Sequence, residues 1–344
     1  MVVAGSGGVG RVAIAAARFA DLVERGHLLL PPPGRGHTTQ RWRALSGVAA
    51  EDLDLGRLVE AHADALAILD ELQGHPSTQP VPQVLPGQRW AVWAAEPPDG
   101  RVDAQLSTDG GWRLTGIKRW CSGAHACTHA LVTAHAADGG RLFAVDLAEA
   151  GVRPGRGGWE GLGMAGSDTE DVQFDAVKAA AVGAPGAYLD RIGFWYGAIA
   201  VAACWYGGAV AVGRPLWEAA RGGGLDPHAR AHLGAVDTAL AAAGSVLREA
   251  AAVADQGPDP ATRDLPSMQL ARQQALRVRA VVEAAAALTI ERVGRALGPR
   301  LLATNAAHSR RIADLIVYVR QSHAERDLAV LGDLAAGADS WQSW

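Results

Sequence analysis

Cysteine is scarce. The 344 residues hold three, Cys121, Cys127 and Cys204, with no Cys-x-x-Cys step and no Cys/His ligand spacing. A disulfide framework is excluded, a zinc site has no ligand set, and the expected metal count is none. Such cysteine usage fits a reducing cytoplasm. Excess charge of one sign is missing too: Lys+Arg 32 against Asp+Glu 36 leaves a net charge of −4, so neither nucleic acid nor a membrane surface is an expected partner. No cationic start leads into an apolar core and cleavage site, so no signal peptide is expected. Internal repeats are absent, and the Ala-rich stretches are helix formers rather than low-complexity tracts.

What is present is an ordinary globular composition, 49% hydrophobic and 20% charged, long enough to bury a large core. Residues 11–74 have helical periodicity in Arg11–Arg25 and again in Asp52–Leu72, separated by a stiff proline loop from Leu28 to Thr39. Residues 75–88 contain four prolines and read as a linker. From 89 to about 183 the period shifts to two, with Gly, Asp and Pro turns at short intervals, which predicts a compact antiparallel β domain. From about 188 onward the pattern is helical again, broken at Gly222–Pro227, Gln256–Pro260, Leu265-Pro266 and Leu297–Pro299, which predicts a bundle. The reading is an α+β chain in three parts: a helical region 1–85, a central β domain 86–184 and a helical bundle 185–344. The uncharged tract Phe194–Val212 approaches membrane-span length, but its Gly, Ala, Tyr, Cys and Trp content favours a buried helix at a subunit or domain contact.

Near the start, Gly5-Ser-Gly7-Gly-Val-Gly10 matches the Gly-x-Gly-x-x-Gly pattern that cradles a pyrophosphate at a helix N-terminus. Context argues against that use. The strand before it has room for three or four residues, His27–Leu30 runs into three prolines, and no βαβ alternation follows. A start that caps the first helix is the simpler reading.

The most informative stretch is Gly111–Ala134. Trp112 and Leu114 alternate with polar residues, Thr115-Gly116 is read as a tight turn, and Trp120-Cys121-Ser122-Gly123 leads to the apolar run Ala130–Ala134. About fifteen residues earlier stands Trp93-Ala94-Ala95-Glu96-Pro97, and about thirty later Gly163-Met-Ala-Gly-Ser-Asp-Thr-Glu-Asp-Val-Gln-Phe-Asp-Ala-Val177. In this order and spacing, the three segments resemble the middle domain of the acyl-CoA dehydrogenase family, and the α–β–α order resembles its architecture. The resemblance implies FAD as cofactor. Trp120 would pack on the isoalloxazine ring, the Ser122 hydroxyl would bond near N5 and O4, and the main chain of Trp93, Ala94 and Ala95 would reach the pyrimidine end. Read alone, Trp93 and Trp120 are equally core aromatics of a barrel and Ser122 a turn residue.

Several positions depart from the family pattern. Arg101 stands where a serine touches substrate, and is read either as a contact to an anionic substrate group or as a solvated turn residue. The diphosphate-holding Arg-x-x-Phe that should follow Glu218–Arg221 is replaced by Gly-Gly-Gly-Leu-Asp-Pro-His, and Leu-Gly-Gly becomes Leu297-Gly298-Pro299, losing an amide donor. The carboxylate that removes an α proton is missing: alternative alignments put Val319 or Ser322 there, and the other family position falls near Gly197. The nearest titratable groups are His323 and Glu325, read either as the catalytic pair or as helix-surface residues in ion pairs with Arg320, Arg326 and Asp327. His125 and His129 follow the Trp-Cys-Ser step, and His308-Ser-Arg310-Arg311 marks a helix start, with solvent exposure the simpler reading.

Three functions follow from the resemblance. The first is an FAD-dependent oxidoreductase acting on CH–CH bonds of an acyl-CoA or similar small substrate, with an atypical base. The second is a flavin-dependent monooxygenase, and the third a non-catalytic subunit needing a paralogous partner. The resemblance also implies a cytoplasmic homodimer or homotetramer.

Overall fold

The computed structural model describes residues 6–73, 82–108, 110–155 and 158–337. Much of the proline-rich linker therefore lies outside the described residues, as do the first glycine of the Gly-x-Gly-x-x-Gly pattern and the strand expected before it. The rest of that pattern lies inside helix α1, Ser6–Glu24. The chain divides into two compact units: residues 1–32, 57–161 and 165–194 form the first, and 33–56, 162–164 and 195–344 the second.

The first unit is built on seven strands: β1 Trp90–Trp93, β2 Val102–Leu106, β3 Trp112–Cys121, β4 His129–Ala136, β5 Gly139–Asp146, β6 Val152–Pro154 and β7 Glu170–Val182. Pairing runs β1-β4-β2-β3-β7-β5, and β5 pairs back onto β4, so five strands close on themselves. Closure leaves no long open edge to template aggregation. Most pairings are antiparallel, as the two-residue period predicted, but β1 runs parallel to β4, and β2 meets β4 in parallel at Asp103–His135.

Helix α3, Leu53–Leu72, follows α1 and continues into this unit from Arg57 onward. Its Ala65, Ile68, Leu69 and Leu72 pack with Trp90, Leu131, Leu142 and Val182 of the sheet. The spacing 65, 68, 69, 72 places all four on one helical stripe, and each buried Leu or Ile contributes about 1.5–3 kcal/mol. His62 of the same helix accepts the Trp90 amide at 3.1 Å through Nδ1, fixing the start of β1.

The second unit is helical. It contains α2 Thr38–Glu51, α4 Ile192–Arg221 from Trp195 onward, α5 Pro227–Gln256, α6 Leu265–Thr304, α7 Ala306–Tyr318, a 3-10 turn Val319–Gln321 and α8 Glu325–Ala336. The sequence signals for breaks are largely chemical caps. Asp226 and Asp264 accept the amides of Ala229 and Ser267 at 2.7 and 3.0 Å, each followed by a proline in the first turn. Leu297–Pro299 was expected to end a helix. Instead it kinks α6, with Gly298 at φ 64°, and the helix stops at Asn305, whose side chain caps α7. α4 is long and apolar enough to cross a membrane, yet 72% of its most apolar window is buried within the protein, as expected of a core helix. Arg279 of α6 donates to the carbonyls of Ala198 and Gln321, both at 2.8 Å, and lies over the Trp205 ring at 4.6 Å.

One buried ion pair in the first unit offers a test. Arg191 and Glu71 are hydrogen-bonded with both side chains 1% exposed, and Arg191 lies 5.5 Å from the Tyr188 ring centroid. Arg191→Met strands a buried carboxylate and should cost about 3–5 kcal/mol in urea unfolding, whereas Glu71→Leu together with Arg191→Met should recover most of it. A single variant as stable as the parent would show that the pair is dispensable.

Candidate functional site

The chain does not turn at Thr115-Gly116. β3 runs unbroken from Trp112 to Cys121, and Gly116 takes φ 134° because a Cβ there would lie 2.2 Å from the carbonyl oxygen of Arg101 on the β2 side. The irregularity is a bulge in the partner: Asp175 and Ala176 of β7, the latter at φ 50°, sit between the pairs Leu114–Val177 and Gly116–Phe174. A second bulge lies in β3 itself. Arg119 and Trp120 together face Asp171, between the pairs Lys118–Val172 and Cys121–Glu170.

That second bulge sets the geometry of the candidate site. Trp120 is held at φ 56°, a left-handed backbone that costs a bulky residue about 1–2 kcal/mol, and the residue is 58% exposed. Its amide donates to Asp171 Oδ1 at 3.3 Å, and the Arg119 guanidinium bonds Asp171 Oδ2 at 2.5 Å. Trp93 differs: it is 2% exposed, and its indole N–H donates to the Ser122 carbonyl at 2.9 Å. Of the two tryptophans that sequence left open, Trp93 is a core residue beneath the site and Trp120 a surface ring. Ala94 and Ala95 continue from β1 as partly exposed loop residues.

Ser122 is buried at 8% exposure, and its hydroxyl lies 2.9 Å from that of Thr169, which is 2.8 Å from that of Ser167. When Thr169 donates to Ser122, the Ser122 proton is available to an acceptor. The loops 122–127 and 165–169 are stitched together further by Gly123 N to Ser167 O and Ala124 N to Asp168 O, both 3.0 Å.

The same strand, β3, carries a buried charge. Lys118 is 2% exposed, and its ammonium donates to the Thr133 carbonyl at 2.9 Å and hydroxyl at 2.7 Å, with Glu96 Oε1 at 3.5 Å. Burial holds Lys118 below its ordinary value, against the attraction of Glu96. Burial alone would raise Glu96, but the Thr133 hydroxyl at 2.7 Å, Lys118 and His135 outweigh it and depress the carboxyl. The sequence gives one signal for this group, a polar residue at an inward position of an alternating strand, in a chain with two lysines, Lys118 and Lys178. Arg101 is exposed and pairs with Asp103 at 2.8 Å. Cys121 and Cys127 are buried and unreactive: burial pushes Cys121 far up and Cys127 to about 12. A depression of about 420 Å³ at Ala17, Arg18, Asp21 and Leu22 of α1 has none of these residues in its wall.

Apart from His125 and His129, which lie in the first unit, the remaining candidates belong to the helical unit. Val319 and Ser322 are 4% and 9% exposed, and Gly197 lies within α4. His323 and Glu325 are not on the helix that carries Tyr318. The chain leaves it through the 3-10 turn, Ala324 takes φ 45°, and α8 starts at Glu325. His323 is exposed, with its amide 3.2 Å and its Nδ1 3.4 Å from the Asp327 carboxylate, the i,i+4 pairing expected of a surface residue. His308 corrects the sequence reading: it is 2% exposed rather than solvated, and burial, aided by Arg311, lowers its pKa. Among the described residues no group of three or more His, Cys, Asp or Glu is placed to hold a metal.

Residues 91–177 match the acyl-CoA dehydrogenase middle domain. The chain as a whole has an acyl-CoA dehydrogenase-like fold. Its fold is that of TdsC from Paenibacillus sp. A11-2 bound to FMN and indole (TM-score 0.75, 18% identity, 96% of each chain covered). It is also that of KijD3 bound to FMN and a dTDP-linked amino keto sugar (0.75, 16%, 99% of this chain and 96% of that one). Methanesulfinate monooxygenase MsuC from Pseudomonas fluorescens is similar as well (0.71, 16%, 97% of each). No curated protein matches the sequence.

The Glu96 cluster predicts a pH effect. The folded carboxyl titrates below its ordinary value of 4.5, so its stabilisation is present above that value and disappears as pH falls through the depressed one. Melting temperature should therefore drop more steeply on acidification for the parent than for Glu96→Gln; parallel acid limbs would show that the cluster carries no linkage.

Proposed function

We propose that this chain is a flavin-dependent monooxygenase that takes reduced FMN and acts on a small organic substrate. One observation carries the reading. Trp120 is exposed and Ser122, two residues on, is buried, while the candidates for the α-proton base position, Val319 or Ser322, and the other family position near Gly197 hold groups that cannot accept that proton. Desaturation of an acyl thioester requires that base; oxygen transfer does not. The FMN-bound relatives TdsC and KijD3 share the fold, which supports the choice by analogy.

FMN is preferred to the FAD implied by the family resemblance because the positions that would hold a diphosphate have lost their donors. The segment after Arg221 is a loop whose Asp226 caps α5, and Gly298-Pro299 forms a kink. Each charged hydrogen bond lost costs about 1.5–3 kcal/mol, so the adenylate half gains little here. Within the site, Trp120 stacks on the ring and excludes water from one face, and Ser122 donates at its polar edge. Lys118 and Glu96 hold the Trp93–Pro97 segment in place. When bound, the reduced flavin supplies the two electrons by which dioxygen yields one oxygen atom to substrate and one to water.

We also propose a homo-oligomer located in the cytoplasm. All three cysteines are free and buried. Because α4 is largely buried within the chain, the oligomer contact falls instead to exposed apolar residues such as Leu265 and Leu270 of α6. We further propose three domains: a helical domain 1–85, a β domain 86–184 and a helical bundle 185–344.

FMN titration, followed by quenching of flavin fluorescence, tests the reading. Trp120→Ala should weaken binding about tenfold, or ~1.4 kcal/mol, and Ser122→Val by a few-fold. Unchanged affinity in both variants would refute the site. Anaerobic bleaching of the flavin band by an acyl-CoA would instead establish the dehydrogenase, which the missing base argues against.

A further inference from the structure

The loop pair that carries Ser122 and Thr169 also carries an unassigned acid–base pair. Asp168 is buried, its side chain 4% exposed, with its backbone in the left-handed region at φ 52°. Its carboxylate accepts the amides of His125 at 2.5 Å and Ala126 at 2.8 Å, and Oδ1 lies 2.8 Å from His125 Nδ1. Three donors hold this buried carboxylate immobile. Since Oδ1 can only accept, the imidazole carries its proton on Nδ1, and its lone pair lies on Nε2. The His125 side chain is 50% exposed, and Nε2 has no hydrogen-bond partner among the described residues.

The backbone cap alone needs one carboxylate oxygen: both amides go to Oδ2. The other oxygen is spent on orienting a half-exposed ring, the arrangement that makes an imidazole a directed base. His125 stands three residues after Ser122, so their Cα atoms are within about 11 Å of each other. The ladder Ser122–Thr169, Gly123–Ser167, Ala124–Asp168 holds both on one rigid frame.

We propose that His125, positioned by Asp168, is the proton-transferring group at the reacting edge of this flavin site. This rests on the flavin reading above. In the step, Nε2 gains a proton from a substrate X–H group, the bonding pair stays on X, and the imidazolium is neutralised by Asp168. On the return, the same proton is given to the product or to water. The dyad serves the X–H group of the substrate and is not the α-proton base of a desaturation.

The test is carbethoxylation of the full-length protein by diethyl pyrocarbonate, with modification of each histidine followed by peptide mass spectrometry and FMN as the probe ligand. FMN at about 100-fold over its Kd should slow modification of His125 about tenfold or more, while exposed His323 keeps its rate. Asp168→Asn should lower the reactivity of His125 about tenfold with FMN affinity kept within about twofold, because the ring loses the partner that fixes its tautomer and orients Nε2. An exposed histidine with a merely structural neighbour would not show this change. If FMN binds and His125 reacts at its free rate, the dyad is not at the flavin and the proposal falls, while the function stands. If the Asn variant reacts like the parent, Asp168 is only a cap. Failure of FMN to bind at all would overturn the function and the dyad together.

Discussion

The site depends on one backbone irregularity, the extra residue in β3 at Arg119-Trp120 opposite Asp171. In a regular strand the alternation that buries Lys118 would bury residue 120 as well. With one residue added, Lys118 and Cys121 are the inward pair, and the indole between them leaves the sheet. The left-handed backbone is unfavourable for tryptophan and persists because its surroundings determine it. Asp171 takes the Trp120 amide and the Arg119 guanidinium, and the ammonium of Lys118 is tied to Thr133 and Glu96. Arg119 is held protonated above its ordinary value by the Asp171 hydrogen bond. Local strain is thus exchanged for a fixed aromatic surface.

On this account the chain has kept the ring-holding part of an ancestral flavin site and changed its proton chemistry. The residues that pack and orient, Trp93, Trp120, Ser122, Thr169 and Lys118, sit on strands or on loops tied to strands. The proton acceptor is drawn from a loop position, His125, where substitution costs the fold little.

How much of this was legible follows from whether the information is local. The β-rich centre was readable from its two-residue period and closely spaced Gly, Asp and Pro, and the bundle from a helical pattern broken at Gly222–Pro227 and Leu265-Pro266, where the structure shows Asp226 and Asp264 as caps. Gly116 was misread as a turn because glycine in a strand has two meanings, and only the Arg101 carbonyl from a neighbouring strand decides between them. Trp93 and Trp120 could not be told apart by composition; the bulge that separates them is visible only once β7 is paired. His308 looked solvated beside two arginines, yet helix packing buries it. The value of Asp168 was hidden for the same reason, its partners lying more than forty residues earlier in the chain.

The most direct test of the central claim is a crystal structure of the protein soaked with FMN. The account predicts the isoalloxazine ring lying against the Trp120 indole at van der Waals separation, about 3.5–4.0 Å, with the Ser122 hydroxyl within hydrogen-bond reach of its polar edge. A flavin bound elsewhere with Trp120 still facing solvent, or an indole folded back onto the sheet, would contradict it.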